Sequence, residues 1–268
     1  MILTDEKLAR LLEPSLRRIL VLEPVAASAR LLADLLKGVG AGQIHFAQSG
    51  VKALGACKLL EPQLILTEVG PDQDGLEFVR QLRRSTLPCR EAPVIVVTAE
   101  ATASTIVAAR NAGVHEFLRK PFAARDLNRR LEAAVLRSRD WVEAVGYVGP
   151  DRRRFNSAAY EGPRKRRADQ APATPAARLD QALKIARSAI AALESDPAQA
   201  LRSLQVQTSE LKALAAALPD LNLAAAASKL QTALSGASVE KGLSRPTIEA
   251  GAADLWSFLP PEPARAVA

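Results

Sequence analysis

Five short apolar segments, each followed by a stretch of helical spacing, constrain this chain more than any other feature. RILVL at 18–22, IHFA at 44–47, LILT at 64–67, VIVVT at 94–98 and EFLRK at 116–120 are too brief for helices and read as strands. Between and after them the apolar residues recur at helical spacing, as in ASARLLADLLK at 27–37. Continuous apolar strands alternating with helices predict a five-stranded parallel sheet covered on both faces, an α/β fold. In such sheets a ligand site forms at the carboxyl ends of the strands. Glu23, Glu68, Thr98 and Lys120 all fall at or just past those ends.

The rest of the chain has a different texture. A short helix is expected over 4–13, with Thr4 as its cap, and the last sheet-covering helix over 124–139, with its pattern traceable to Val145. Then one phrase occurs twice. Tyr147-Val148-Gly149-Pro150-Asp151-Arg152-Arg153-Arg154 is followed by Tyr160-Glu161-Gly162-Pro163-Arg164-Lys165-Arg166-Arg167. Gly-Pro breaks regular structure, so this reads as an extended arm, with ADQAPATPAA as a flexible linker behind it. Ala- and Leu-rich sequence follows, with four expected helices at 176–194, 197–217, 221–235 and 244–259, a small antiparallel bundle. The expected organisation is an N-terminal helix at 1–16, an α/β domain at 17–145, an arm and linker at 146–175, and a helical bundle at 176–260.

Charge sharpens the reading of the arm. Of a formal net charge of +7, residues 151–170 supply +4, from seven Arg or Lys against three acids. Such a local cluster points to an anionic partner. Cys57 and Cys89 lie far apart in sequence and make neither a disulfide framework nor a metal site by spacing. There is no leader-like start and no apolar run of about 18 residues, so a soluble, cytoplasmic protein is expected. No catalytic set stands out, and none is expected.

LILTEVGPDQDGLEFVRQLR, VIVVTAE and FLRKPF, in that order and spacing, resemble a CheY-like receiver domain over about residues 17–140. The resemblance implies a phosphoryl-accepting aspartate, and Glu68 stands in its place. It implies an acidic pair after the first strand, and here the pair is Glu23-Pro24. The loop EVGPDQDG is one residue shorter than usual. The switch hydroxyl Thr98, the switch aromatic Phe117 and the pair Lys120-Pro121 are retained. Phosphoryl transfer to a carboxylate needs Mg²⁺ with several oxygen ligands. With one carboxylate gone and two lengthened, neither phosphorylation nor Mg²⁺ dependence is expected. Glu68 can instead approach Lys120 directly, either imitating a phosphorylated acceptor or forming an ion pair left from an ancestral site. The face of the fourth and fifth helices and fifth strand is the family's usual partner surface.

The arm resembles the arginine-rich tail of the Cle group of cyclic di-GMP effectors, which tune flagellar motors. In that group the tail tends to end the chain, whereas here a helical region follows. Arginines clamp phosphates, pair with guanine edges and stack on purines. The expected ligand residues are Arg152, Arg153, Arg154, Arg164, Arg166 and Arg167, with Tyr147 and Tyr160 for stacking and Asp151 and Asp169 as guanine acceptors. A solvated basic linker and a nucleic-acid arm are the other readings of this stretch. The second is disfavoured because no nucleic-acid-binding fold accompanies it.

QTSELKALAAALPDLNLAAAASKLQTAL at 207–234 resembles the core of a histidine phosphotransfer domain. Ser209 takes the histidine position, three residues before Lys212, so phosphorelay is not expected. An unrelated Ala/Leu bundle has the same spacing. His45 and His115 read as packing residues. The expectation is a non-catalytic bacterial signalling adaptor that binds cyclic di-GMP. It would meet a histidine kinase or a flagellar or chemotaxis component. The alternatives are a ligand-free scaffold in a two-component pathway and a phosphorylated response regulator.

Overall fold

The computed structural model describes residues 10–70, 74–137, 139–152, 174–238 and 244–259. These divide into two compact units. The first takes residues 10–142 and 147–152, and the second takes 143–146 with everything described from 174 onward.

In the first unit the strands are β1 (Arg18–Leu22), β2 (Gln43–Ala47), β3 (Leu64–Thr67), β4 (Val94–Thr98) and β5 (Glu116–Arg119). They pair in parallel in the order β2-β1-β3-β4-β5. The helices are α1 (Ala26–Gly38), α2 (Gly50–Leu60), α3 (Gly75–Arg84), α4 (Ala103–Ala112) and α5 (Ala124–Val135). The period-2 pleat sorts each strand's side chains onto two faces. Leu20, Leu22, Ile65, Val94, Val96 and Phe117 pack with residues of α2, α3 and α4. Ile19, Val21, Leu64, Leu66, Ile95, Val97 and Leu118 pack with residues of α1 and α5. This two-sided burial is why the strands read as unbroken apolar runs.

Local chemistry starts and stops the helices. The Ser49 and Thr102 side chains accept from Lys52 N and Thr105 N at 3.4 and 3.1 Å, capping α2 and α4. Gly113 ends α4 at φ +92°, where a side chain would be strained. The helix expected over 4–13 falls mostly outside the described residues. Arg10 to Leu12 are helical and lead into a 3₁₀ turn, Glu13–Ser15.

Beyond α5 the structure corrects the sequence reading. The helix stops at Val135, and β6 (Trp141–Ala144) and β7 (Tyr147–Pro150) form a two-stranded sheet joined through Val145 and Gly146. Trp, Val and Tyr favour extended backbone. Tertiary contacts then decide the matter. The guanidiniums of Arg83 and Arg90 lie 5.3 and 5.6 Å from the Trp141 ring centroid. The Glu116 carboxylate accepts from Arg130 at 3.0 Å and Arg139 at 2.5 Å, fixing the stretch between α5 and β6. At Gly149, φ is +152° and an added Cβ would fall 2.8 Å from the Gly113 Cα, so the close approach needs glycine at this position.

The second unit contains α6 (Pro175–Ala191), α7 (Pro197–Ala217), α8 (Leu221–Ser235) and α9 (Arg245–Ala252), the last running into a 3₁₀ turn, Ala253–Phe258. The helix expected to run unbroken over 244–259 therefore tightens after Ala252. Leu183, Ala186, Leu204, Leu211, Leu223, Leu230, Ile248 and Leu255 form one core, against which Val145 packs. Residues 143–146 belong here because Glu143 is bound by α7. Gln199 donates to its carboxylate at 2.7 Å, and Ser203 and Gln207 donate to its carbonyl at 2.8 and 3.3 Å. The expected boundary at 145–146 is thus displaced, with 143–146 in the helical unit and 147–152 in the α/β unit.

Candidate functional site

The carboxyl ends of β1, β3 and β5 bring two carboxylates and one ammonium together. Glu23 follows β1, and its backbone N–H donates to Ala47 O at 3.1 Å. Glu68 follows β3, and its N–H donates to Leu22 O at 2.8 Å. Lys120 follows β5 and donates its N–H to Thr98 O at 2.8 Å. These continuations of the sheet's hydrogen bonding fix all three Cα positions. The Lys120 Nζ then donates to Glu23 Oε2 at 2.7 Å and to Glu68 Oε2. Glu23 Oε1 accepts from Val25 N at 3.0 Å, so both of its oxygens are occupied.

Burial gives the cluster its electrostatics. The side chains of Glu23, Glu68 and Lys120 are 1%, 11% and 24% exposed. Burial pushes the Glu68 carboxyl above its usual range, against the opposing pull of Lys120 and with the help of Glu23. Burial disfavours the charged Lys120 as well, but its bonds to Glu23 and then Glu68 outweigh this and hold its pKa above the ordinary value.

Thr98 is fully buried at the end of β4. Its hydroxyl donates to Val69 O and accepts from Glu100 N at 3.0 Å, so it does not reach toward Glu68. Phe117 is buried, with 5% exposure, among the residues under α3 and α4. Gly75 comes so close to the end of β3 that an added Cβ would lie 2.1 Å from Glu68 O and 2.6 Å from Thr67 Oγ1.

Both carboxylates are turned onto Lys120, and Pro24, beside Glu23, offers no side-chain oxygen. Among the described residues no group of three or more His, Cys, Asp or Glu is placed to hold a metal.

Of the arm's expected ligand residues, Arg153, Arg154, Tyr160, Arg164, Arg166, Arg167 and Asp169 lie outside the described residues. Tyr147 requires a correction. It is 7% exposed in β7, and its hydroxyl donates to Pro150 O at 2.5 Å, so its ring supports the chain instead of offering a stacking surface. Arg152 lies over that ring, 4.3 Å from the centroid, and donates to Asn111 Oδ1 at 3.0 Å. Asp151 donates its backbone N–H to Asp140 O at 2.8 Å, at the base of the β6–β7 sheet. In the helical unit Ser209 bonds back to Gln205 O at 3.1 Å, and Lys212 donates to Gln231 at 2.6 Å.

The sequence reading passed over Arg83, which is 1% exposed and donates to Gly113 O at 3.0 Å, Ala92 O at 2.9 Å and Arg90 O. It also meets His115 Nδ1 at 3.3 Å. That nitrogen accepts from Val94 N at 3.2 Å, so the ring is neutral, and burial, then Arg83 and Arg139, hold its pKa well below the ordinary value. Glu116 was also missed as a clamp. The available signal was an acid at the head of β5, just before the apolar pair Phe117-Leu118.

Residues 19–132 match the family described as response regulator receiver domain. This part of the chain is a receiver domain, joined to a helical region. The KDP operon transcriptional regulatory protein KdpE of Escherichia coli (strain K12) is 35% identical over 120 residues, 44% of this chain and 51% of that protein. The transcriptional regulatory protein PdtaR of Mycobacterium tuberculosis (strain CDC 1551 / Oshkosh) is 32% identical over 133 residues, 49% of this chain and 63% of that protein. The chain therefore spans between half and two thirds of the curated relatives it matches. A sensor protein from Polaromonas sp. JS666 shares 28% identity over 44% of this chain and 94% of its own, with a TM-score of 0.40. Vibrio cholerae chemotaxis protein CheY4 shares 21% over 44% and 97%, with a TM-score of 0.41. Among the described residues no helix is long and apolar enough to cross a membrane.

Proposed function

We propose that this chain is a non-catalytic, cytoplasmic signalling adaptor whose receiver domain works without phosphorylation. One observation carries the reading: the Lys120 ammonium is held between the carboxylates of Glu23 and Glu68. In a receiver that acts by phosphorylation, a carboxylate must be free to attack phosphorus and a cation site must neutralise the phosphoryl oxygens. Here the carboxylates are engaged with the lysine and the donor set does not suit Mg²⁺. The receiver is then a pseudo-receiver that presents one constitutive surface to a protein partner, such as a histidine kinase or a flagellar or chemotaxis component. Incubation with acetyl phosphate and Mg²⁺, followed by intact mass, is expected to show no phosphoryl adduct. A stoichiometric gain of one phosphoryl group on a receiver-site residue would overturn the reading.

The arginine-rich arm supplies the input in this proposal, as a site for cyclic di-GMP. Its support is compositional: clustered forked donors, interleaved acids and Tyr160 suit a ligand with two phosphates and two guanines. With Tyr147 and Arg152 committed to the α/β unit, the weight falls on Arg153, Arg154, Arg164, Arg166 and Arg167, with Asp151 and Asp169 as acceptors. Calorimetry is expected to show saturable binding of cyclic di-GMP. Replacing one bidentate arginine should weaken it by about 1–3 kcal/mol. Equal, strongly salt-dependent binding to a random oligonucleotide would instead mean a nonspecific basic arm.

A further inference from the structure

Cys57 and Cys89 are separated by 32 positions but share one apolar cluster under α2 and α3. Cys57 is in the last turns of α2, fully buried, and Cys89 is in the 3₁₀ turn Pro88–Glu91 that feeds β4, with 6% exposure. The Cys89 Sγ approaches Cys57 O at 3.6 Å, and both thiols are free. We propose that Cys57 and Cys89 are a redox-active dithiol that a hydroperoxide converts to an intramolecular disulfide.

The two sulfurs are not equivalent. Cys89, the less deeply buried of the two, has its thiol pKa lowered, chiefly by a hydrogen bond from Cys57. Cys57 is pushed up by that same bond and then by burial. The Arg83 guanidinium favours the thiolate at both. Cys89 is therefore the attacking sulfur and Cys57 the resolving one, since reaction follows thiolate character and access. The Cys89 thiolate attacks the terminal peroxide oxygen, the O–O bond breaks, and the alkoxide (hydroxide, for hydrogen peroxide) departs and takes up the proton that Cys89 gave up, so that Cys89 becomes a sulfenic acid. The Cys57 sulfur then attacks the sulfenic sulfur. An S–S bond forms, the S–O bond breaks, and the Cys57 proton leaves with the departing oxygen as water. Overall, two thiols and one hydroperoxide give one disulfide, water and the reduced peroxide. The closed loop contains β3, Glu68 and α3, so oxidation would constrain the segment that carries the carboxylate facing Lys120.

The test uses the full chain and enough hydrogen peroxide to oxidise an exposed thiol in a control peptide. After quenching, unfolding and alkylation with iodoacetamide, the expected intact mass has lost two hydrogens and gained no alkyl group. Dithiothreitol should restore double alkylation. Cys57→Ser should leave a Cys89 sulfenic acid that dimedone traps, while Cys89→Ser should leave Cys57 unmodified. Peptide mapping of the wild type, which needs no variant to fold, should recover a linked pair containing both cysteines. Two alkylated cysteines after peroxide treatment, or a disulfide linking two chains instead of one, would overturn the proposal.

Discussion

Replacing Lys120 with methionine is expected to destabilise the receiver unit by about 3 kcal/mol at neutral pH, read from its transition in urea. Removing one partner of a buried pair leaves uncompensated charge, at a cost of about 3–5 kcal/mol. The low end applies because the Lys120 side chain is 24% exposed and solvent screens part of the interaction. Two carboxylates, Glu23 and Glu68, then face each other without a cation. The pH dependence has a definite sign. A carboxyl whose folded pKa is raised above its unfolded value of about 4.5 binds its proton more tightly in the native state. Stability therefore recovers as pH falls from neutral through the raised folded value toward 4.5. In the wild type, Lys120 adds the opposite limb. Its folded pKa lies above 10.5, so its contribution is complete below 10.5 and disappears as pH rises through the folded value. Glu68→Gln in the Lys120→Met background should restore much of the loss, because it removes one of the orphaned charges. A loss below about 1 kcal/mol would show that the cluster behaves as a surface pair.

Arg83→Ala is expected to cost roughly 4 kcal/mol. Arg83 is fully buried, bonded to no carboxylate among the described residues, and burial brings its pKa down to about 10. It persists there because its donors meet the carbonyls of Gly113, Ala92 and Arg90. Truncation orphans buried acceptors at about 1–3 kcal/mol apiece and leaves a cavity, partly offset by no longer burying a charge. Trp141 loses one of the two guanidiniums beside its ring. In a Trp256→Phe background, Trp141 emission should therefore shift toward that of an exposed indole. His115 supplies a second readout. Its folded pKa is depressed below 6.5, so wild-type stability declines as pH falls below 6.5, where the unfolded chain takes up a proton that the native chain refuses. Without Arg83 one cause of that depression is gone, and the decline should be shallower. An unchanged acid limb with unchanged Trp141 emission would sink this account of Arg83.

The contrast between these two residues shows what a chain reveals before it is folded. Lys120, Glu23 and Glu68 were legible because parallel strands place their carboxyl ends on one edge, and the five apolar runs are hard to read any other way. Arg83 was not, because on α3 it looks like one of several surface arginines, and only its packing against the carbonyls of Arg90, Ala92 and Gly113 makes it a buried donor. The β6–β7 sheet was hidden for a related reason. Residues 136–145 continue a helical pattern well enough, and partners remote in sequence, Arg83, Glu116 and Gln199, decide against it. Tyr147 was misassigned along with the repeat it begins. The repeated phrase implied two equal copies, but the first has its tyrosine, glycine and proline built into β7. Cys57 and Cys89 could not be paired by spacing, since only the packing of α2 against the turn before β4 joins them.

Residues 143–146 have a consequence for how this molecule can be taken apart. The backbone enters the helical unit at Glu143, leaves it after Gly146, and returns to it beyond the arm. Covalent continuity and folding unit are therefore different partitions of the same chain. A single nick between 153 and 173 would produce two polypeptides, yet the helical unit would still be assembled from both of them. The first fragment would donate Glu143 to Gln199, Ser203 and Gln207 of the second. Such fragments complement each other as the halves of a split protein do, and the second one expressed alone lacks Glu143–Gly146, including the Val145 that packs on its core.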